Sequence, residues 1–290
     1  MKILTDCAAD MPEQELRDLD VSQSPLYIQF PDEEVNSADL TPDEFYDRLA
    51  SIYPTIPTTA QPSAGEFAEL FRQFDDGEQL LSIHLSAGLS GTYQSASLGA
   101  DMVESEVDVS TYDSGTLSGG QRFQVIAAAH AAKAGWDLAQ ILERLERMKQ
   151  ATEVVYTLET LEYLSHGGRI GRVEALAGSL LQIKPLIHVD HDDGKYSTVG
   201  KVRSLNKALG ALADHLLDLY KEEELWVTVL HGNIPEQAEK LRDLLREKLS
   251  ISRLEVLRIS PVLGVHTGPG IVGAAVIPIS LVEDLIPLSG

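Results

Sequence analysis

One cysteine stands in 290 residues. Cys7 alone closes no internal disulfide and completes no thiolate cluster for zinc, so neither staple holds this chain. Basic residues are also scarce: Lys+Arg number 23 against 45 Asp+Glu, which gives a formal net charge of −22 and a pI near 4.6. Such a polyanion is a poor match for nucleic-acid phosphates or an anionic bilayer, so no nucleic-acid partner is expected. Long apolar runs are missing too. The longest, 271–279, falls far short of the roughly 18 residues that a membrane span requires, and no stable membrane insertion is expected. Asp6 and Asp10 sit where a secretory leader would carry its apolar stretch, and with the lone cysteine they lead to the expectation of a cytoplasmic protein. No nucleotide loop ending in Gly-Lys-Ser/Thr, no solenoid repeat and no low-complexity tract occurs.

What is present is ordinary for a globular chain, with 43% hydrophobic and 23% charged residues. At about 150 residues per domain the length suggests two domains. The charge divides unevenly as well, with 22 acids and 4 bases in residues 1–110 and 23 acids and 19 bases in 111–290. Short runs rich in β-branched residues at 2–5, 79–84, 107–112, 153–156 and 225–230 predict core strands. Between them, 3.6-residue periodicity predicts helices at 42–52, 63–74, 90–103, 120–134, 137–148, 205–220 and 235–249. This rhythm is that of an α/β protein. Near Thr152 two consecutive helices give way to a strand, so the seam is expected there, with domains at 1–152 and 153–290.

Several segments carry the residue types of chemistry. His188-Val189-Asp190-His191-Asp192-Asp193-Gly194 offers metal donors, but β-like runs flank it, and Asp-Gly is a strong hairpin signal because the turn needs positive φ. An exposed turn is the simpler reading, and no metal site is expected. Gly88-Leu89-Ser90-Gly91-Thr92 approaches the nucleophile elbow but ends in Thr92 rather than glycine. The segment also joins a strand to a helix start, a place where backbone N–H groups and hydroxyls receive a single anionic group. Thr58 to Ser63, Gly167-Gly168-Arg169-Ile170-Gly171-Arg172 and His266-Thr267-Gly268-Pro269-Gly270 are unusually small, polar and turn-like. Arg169 and Arg203 belong to the one basic stretch, 169–207, with seven bases against four acids.

Taken in order, these segments resemble the DegV family of fatty-acid-binding proteins. The resemblance rests on Thr5-Asp6-Cys7-Ala8-Ala9-Asp10, Thr59-Ala60-Gln61-Pro62-Ser63, the run Leu89 to Ala96, Leu161-Glu162-Tyr163-Leu164 with Gly167-Gly168-Arg169-Ile170, Lys184-Pro185, Lys201-Val202-Arg203, His231-Gly232-Asn233 and His266 to Gly270. It spans nearly the whole chain. It implies two α/β domains of the DegV-like (EDD) fold with a ligand crevice between them, one long-chain fatty acid as ligand, and no other cofactor. It further implies a non-catalytic subunit that presents the acid to an ATP-dependent fatty-acid kinase and carries the acyl phosphate. By motif, the carboxylate contacts would be Thr59, Ser90, Gly91, Thr92, His266 and Thr267, with Arg169 and Arg203 near the opening or serving the kinase. Three departures from the family pattern, Cys7, Ala60 and Ala87, each remove a hydroxyl.

The residue chemistry is compatible with that ligand, because hydroxyls and backbone donors suffice to hold a carboxylate. A tail of about 14 methylenes at about 0.8 kcal/mol each contributes on the order of 11 kcal/mol before association costs. The alternative is a lipid-related serine hydrolase or phosphotransferase with Ser90 as nucleophile and His266 as base. A regulatory lipid sensor would differ from the carrier only in what it binds next. A monomer is expected.

Overall fold

A computed structural model describes residues 1–74, 77–179 and 183–286. Strand β1 (Lys2–Asp6) is buried from Ile3 onward on both faces, which is why it shows no alternation of apolar and polar positions. The chain continues through β2 (Val21–Ser24), then β3 (Tyr27–Gln29), β4 (Glu34–Asn36) and β5 (Thr58–Ala60), and returns to the first sheet with β6 (Leu80–His84) and β7 (Val109–Asp113). Strands β2-β1-β6-β7 form a wholly parallel four-stranded sheet, and β4-β3-β5 a small antiparallel one. The remaining strands, β8 (Glu153–Thr157), β9 (Lys184–Val189), β10 (Tyr196–Val202), β11 (Glu224–His231), β12 (Ser250–Arg258) and β13 (Val272–Pro278), form one six-stranded sheet in the order β10-β9-β8-β13-β11-β12. Only β11 and β12 run parallel in it. The fold is therefore α/β as expected, with a mixed second sheet.

All seven helices expected from periodicity are present, with ends shifted by a few residues. Their starts carry the signals the sequence offers: Thr41 and Glu44 close a capping box ahead of Pro42, and Asp137 closes another with Gln140. The Ser118–Lys133 helix is buried around nearly its whole circumference, because it runs between the four-stranded and six-stranded sheets. Its polar side chains reach toward both sheets. The Gln121 amide donates to Thr5 Oγ1 (3.0 Å) and Asp6 Oδ1 (3.2 Å) on one side. Arg122 pairs with Glu15 and with Glu255 on the other, each at 2.6 Å. Gly119 lets the helix approach β13, since a Cβ there would stand 2.6 Å from that of Ala275. One apolar core consequently contains Leu81 and Ile83 of the first sheet together with Trp226 and Ile277 of the second.

The Asp-Gly turn expected near 193–194 joins β9 to β10 as a hairpin, with Gly194 at φ 65°. Its histidines serve the sheet. His188 bonds to Glu153 (3.1 Å) and Ser197 (2.9 Å), and His191 to the Thr152 carbonyl (2.9 Å). Among the described residues no group of three or more His, Cys, Asp and Glu side chains is arranged to hold a metal ion. Nor is any helix among them long and apolar enough to cross a membrane.

Candidate functional site

Strand β1 ends at Asp6, whose carboxylate is sealed from solvent and organises the next crossing. It accepts from the Ala8 N–H (3.0 Å), from the Leu85 N–H (2.9 Å) and from His84 Nδ1 (3.0 Å). The chain leaving β6 is thereby pinned at Leu85. Ser86 then donates its N–H to the Thr116 carbonyl (2.7 Å), and Ser90 donates to the Ser86 carbonyl (3.1 Å). From the second sheet the hairpin turn closes over this loop, because Ser86 Oγ donates to the Gly194 carbonyl (2.8 Å). Only glycine fits there: φ is positive, and a Cβ would lie 2.0 Å from Ser86 Oγ.

The loop delivers Ser90 to the wall of a cavity of about 40 Å³, where it meets Thr59 from β5, Arg169 from the turn after the Glu162–His166 helix, and His266 from the Pro261–Thr267 helix. Thr59 Oγ1 and His266 Nε2 share a hydrogen bond of 2.7 Å. Ser90 Oγ bonds to Thr92 Oγ1 (2.8 Å) and accepts the Thr92 N–H (3.2 Å). Arg169 donates to the carbonyls of Gly167 (2.6 Å) and Leu89 (3.3 Å), which holds its guanidinium at the cavity wall. Among the described residues lining the cavity no carboxylate occurs, and Arg169 is the only one with a permanent charge. Burial, helped by the Arg169 charge, pushes His266 down to about 4, so the imidazole is neutral near pH 7. Its Nδ1 has no partner among the described residues, and Gly167 packs so close that a Cβ would fall 2.1 Å from that atom. The cavity is thus a set of hydroxyls, one neutral imidazole and one guanidinium, which is the donor set for a single carboxylate.

Leu117, Tyr196 and Leu263 line this cavity and also a second one of about 30 Å³. The second is walled by aliphatic side chains such as Val154, Leu230, Ile259 and Ile271. Two hydroxyls at its wall are spent: Thr267 Oγ1 donates to the Leu263 carbonyl (2.9 Å), and Ser118 Oγ donates to Asp10. Asp10 and Ser118 both adopt left-handed backbone, φ 52° and 55°, a strained state for residues with a Cβ that their mutual hydrogen bond helps to hold. Asp10 also accepts the Ser260 N–H (2.6 Å), and burial nonetheless pushes its carboxyl up to about 6.

Of the residues expected at a carboxylate site, Thr59, Ser90 and His266 line the first cavity, as does Arg169. Gly91 caps the Thr92–Asp101 helix against Gln61, and Thr92 is buried behind Ser90 as its support. Thr267 stands at the second cavity with its hydroxyl engaged, and exposed Arg203 lines neither. Gln61, Tyr196 and Leu263 were not singled out from sequence; Gln61 lay inside a quoted motif, whereas Tyr196 and Leu263 carry no polar signature. A Ser–His–Asp relay also exists, unannounced by any motif: Ser82 Oγ lies 2.7 Å from His84 Nε2, and His84 Nδ1 3.0 Å from Asp6. All three side chains are fully buried, with Phe67 edge-on to the imidazole, so no substrate reaches them. Ser90 and His266, the pair a hydrolase would need, are each bonded to a different threonine.

The family model for DegV, described as an uncharacterised protein family, matches residues 1–279. A DegV domain-containing protein of Halalkalibacterium halodurans is 34% identical over 279 residues, covering 93% of this chain and 96% of that protein. Among solved structures, a DegV family protein of Thermus thermophilus described for its fatty-acid binding superposes with TM-score 0.87 at 29% identity, covering 96% of this chain and 99% of that one. A stearic-acid-binding protein of Eubacterium ventriosum superposes with TM-score 0.85 at 28% identity, covering 96% and 98%.

Proposed function

This chain belongs to the DegV family, and from that premise we propose that it binds one long-chain fatty acid, carboxylate in the polar cavity and acyl tail along the apolar one. The observation that carries the reading is the shared wall: Leu117, Tyr196 and Leu263 border both a cavity of hydroxyls, imidazole and guanidinium and a neighbouring one lined almost wholly by carbon. Arg169 supplies charge, Thr59 and Ser90 supply hydroxyl donors, and the neutral imidazole of His266 orients Thr59. Volumes of about 40 and 30 Å³ are too small for an extended acyl chain, so binding spreads the side chains at the junction. In this reading the residues 1–152 and 153–290 act as two domains, and the protein is a cytoplasmic monomer without turnover of its own. It hands the bound acid to an ATP-dependent kinase and carries the acyl phosphate, with exposed Arg203 meeting the kinase.

The test is mass spectrometry of the protein purified under native conditions, followed by organic extraction. A fatty acid near one per chain is the expected result. A protein that is empty and fails to take up added fatty acids overturns the assignment.

A further inference from the structure

The apolar cavity is lined by a buried hydroxyl that no group among the described residues satisfies. Ser118 and Thr267 are bonded to Asp10 and to the Leu263 carbonyl, but the hydroxyl of Tyr156 is buried and has no hydrogen-bond partner among the described residues. Its position is fixed by the sheet, because Tyr156 stands opposite Gly273 in the β8–β13 register and a Cβ on Gly273 would lie 2.4 Å from the Tyr156 Cβ. The ring packs edge to face on Tyr196, centroids 5.5 Å apart at 82°. The Tyr196 hydroxyl approaches the Tyr156 phenol closely enough to add to the upward push that burial gives it, but stands outside the geometry of a formed hydrogen bond. A phenol buried without a partner costs stability that phenylalanine at the same place would spare, and a plain alkyl tail leaves it unpaired when bound.

Resting on the fatty-acid reading above, we propose that the Tyr156 hydroxyl recognises an oxygen on the acyl chain, so that the preferred ligand class is the hydroxy fatty acids. A chain hydroxyl both donates and accepts, and in a dry cavity it pairs with the phenol where an unsubstituted chain cannot. A site built to hydrogen-bond a hydroxyl discriminates against the analogue lacking it, because that analogue leaves the protein group unpaired.

The experiment compares stearic acid with 3-, 10- and 12-hydroxystearic acid on the full chain and on Tyr156→Phe, by calorimetric titration after delipidation. The wild type is expected to bind at least one hydroxy acid about fivefold to tenfold more tightly than stearic acid, the size of one net hydrogen bond. The Phe variant should lose that preference, keep or improve its stearic acid affinity, and melt no lower than the wild type. Tight stearic acid binding with no preference for any hydroxy acid overturns this proposal alone, as does a preference that survives in the variant. Failure to bind any of the four acids overturns the fatty-acid reading and this one with it.

Discussion

The two adjoining cavities share three side chains and divide the chemistry between them. In the first, polar groups come from four places far apart in the chain, Thr59, Ser90, Arg169 and His266, and each is held by a hydrogen bond to another protein group. In the second, most of the wall comes from strands and helices whose residues are there because they are apolar. In the proposed complex the polar side would fix orientation and be worth little net free energy per contact, since each bond replaces one to water. Affinity would come from the apolar side, in proportion to the carbon removed from water. The largest break in this division is therefore made at the junction. Replacing Leu263 by Trp fills the wall common to both cavities and should exclude about four methylenes of a long chain, a loss of about 3 kcal/mol or roughly 200-fold in affinity. Calorimetric titration with stearic acid checks it, with melting to show that the variant folds. Unchanged affinity would place the tail elsewhere.

The same division explains what was legible in the sequence. Thr59, Ser90, Arg169 and His266 lie in small, polar, turn-like segments that no packing argument needs, so their oddity is visible without their neighbours. Tyr196 and Leu263 carry no such mark, because an apolar residue that lines a tunnel has the same pattern as one that fills a core. The sealed relay of Ser82, His84 and Asp6 hid for a related reason: two members sit inside a buried strand, and the third comes from a strand 78 positions away. Strands β3, β4 and β5 have three residues each, too few to establish a period of two, and β12 is mostly half-exposed and interleaves charge with aliphatic residues. The apolar run at 271–279 is conspicuous as a run, yet Gly273 and Pro278 deny it a clean strand signature.

A second contrast lies between the ends of the short Pro261–Thr267 helix, and pH sharpens it. At its carboxyl end His266 is held near about 4 by burial and by Arg169, below the ordinary 6.5. Unfolding therefore takes up a proton between those values, and stability is lost as pH falls through 6.5 toward 4. At its amino end Asp10 is held near about 6 by burial, above the ordinary 3.8, so its ionised form is the disfavoured one and stability is gained as pH falls through 6 toward 4. Each effect amounts to about 2–3 kcal/mol between pH 7 and 4.5, and in the wild type the two oppose each other. His266→Gln should make the protein relatively more stable on acidification and Asp10→Asn relatively less, read as differences from wild type in urea unfolding at the two pH values. Difference curves that stay flat for both variants would show that neither group carries these shifts.

The smallest expected effect is also the most pointed test of the polar side. Ser90→Ala removes one hydroxyl from the cavity and should weaken fatty-acid binding about tenfold, the weight of a single charge-assisted hydrogen bond. The substitution does two things, however, because Ser90 Oγ also accepts the Thr92 N–H and bonds to the Thr92 hydroxyl at the start of the Thr92–Asp101 helix. Thr92→Val separates them: it removes the supporting hydroxyl, which is buried behind Ser90, and leaves Ser90 in place. If Ser90 touches the carboxylate, Ser90→Ala costs clearly more binding than Thr92→Val, although each variant also loses some stability because it orphans its partner. Equal losses in both variants, accompanied by equal drops in melting temperature, would mean that the pair merely caps the helix. Loss from Ser90→Ala should also be the same for a long and a medium-length chain, because the head group does not sense the tail. A loss that grows with chain length would show that the two cavities do not divide orientation from affinity.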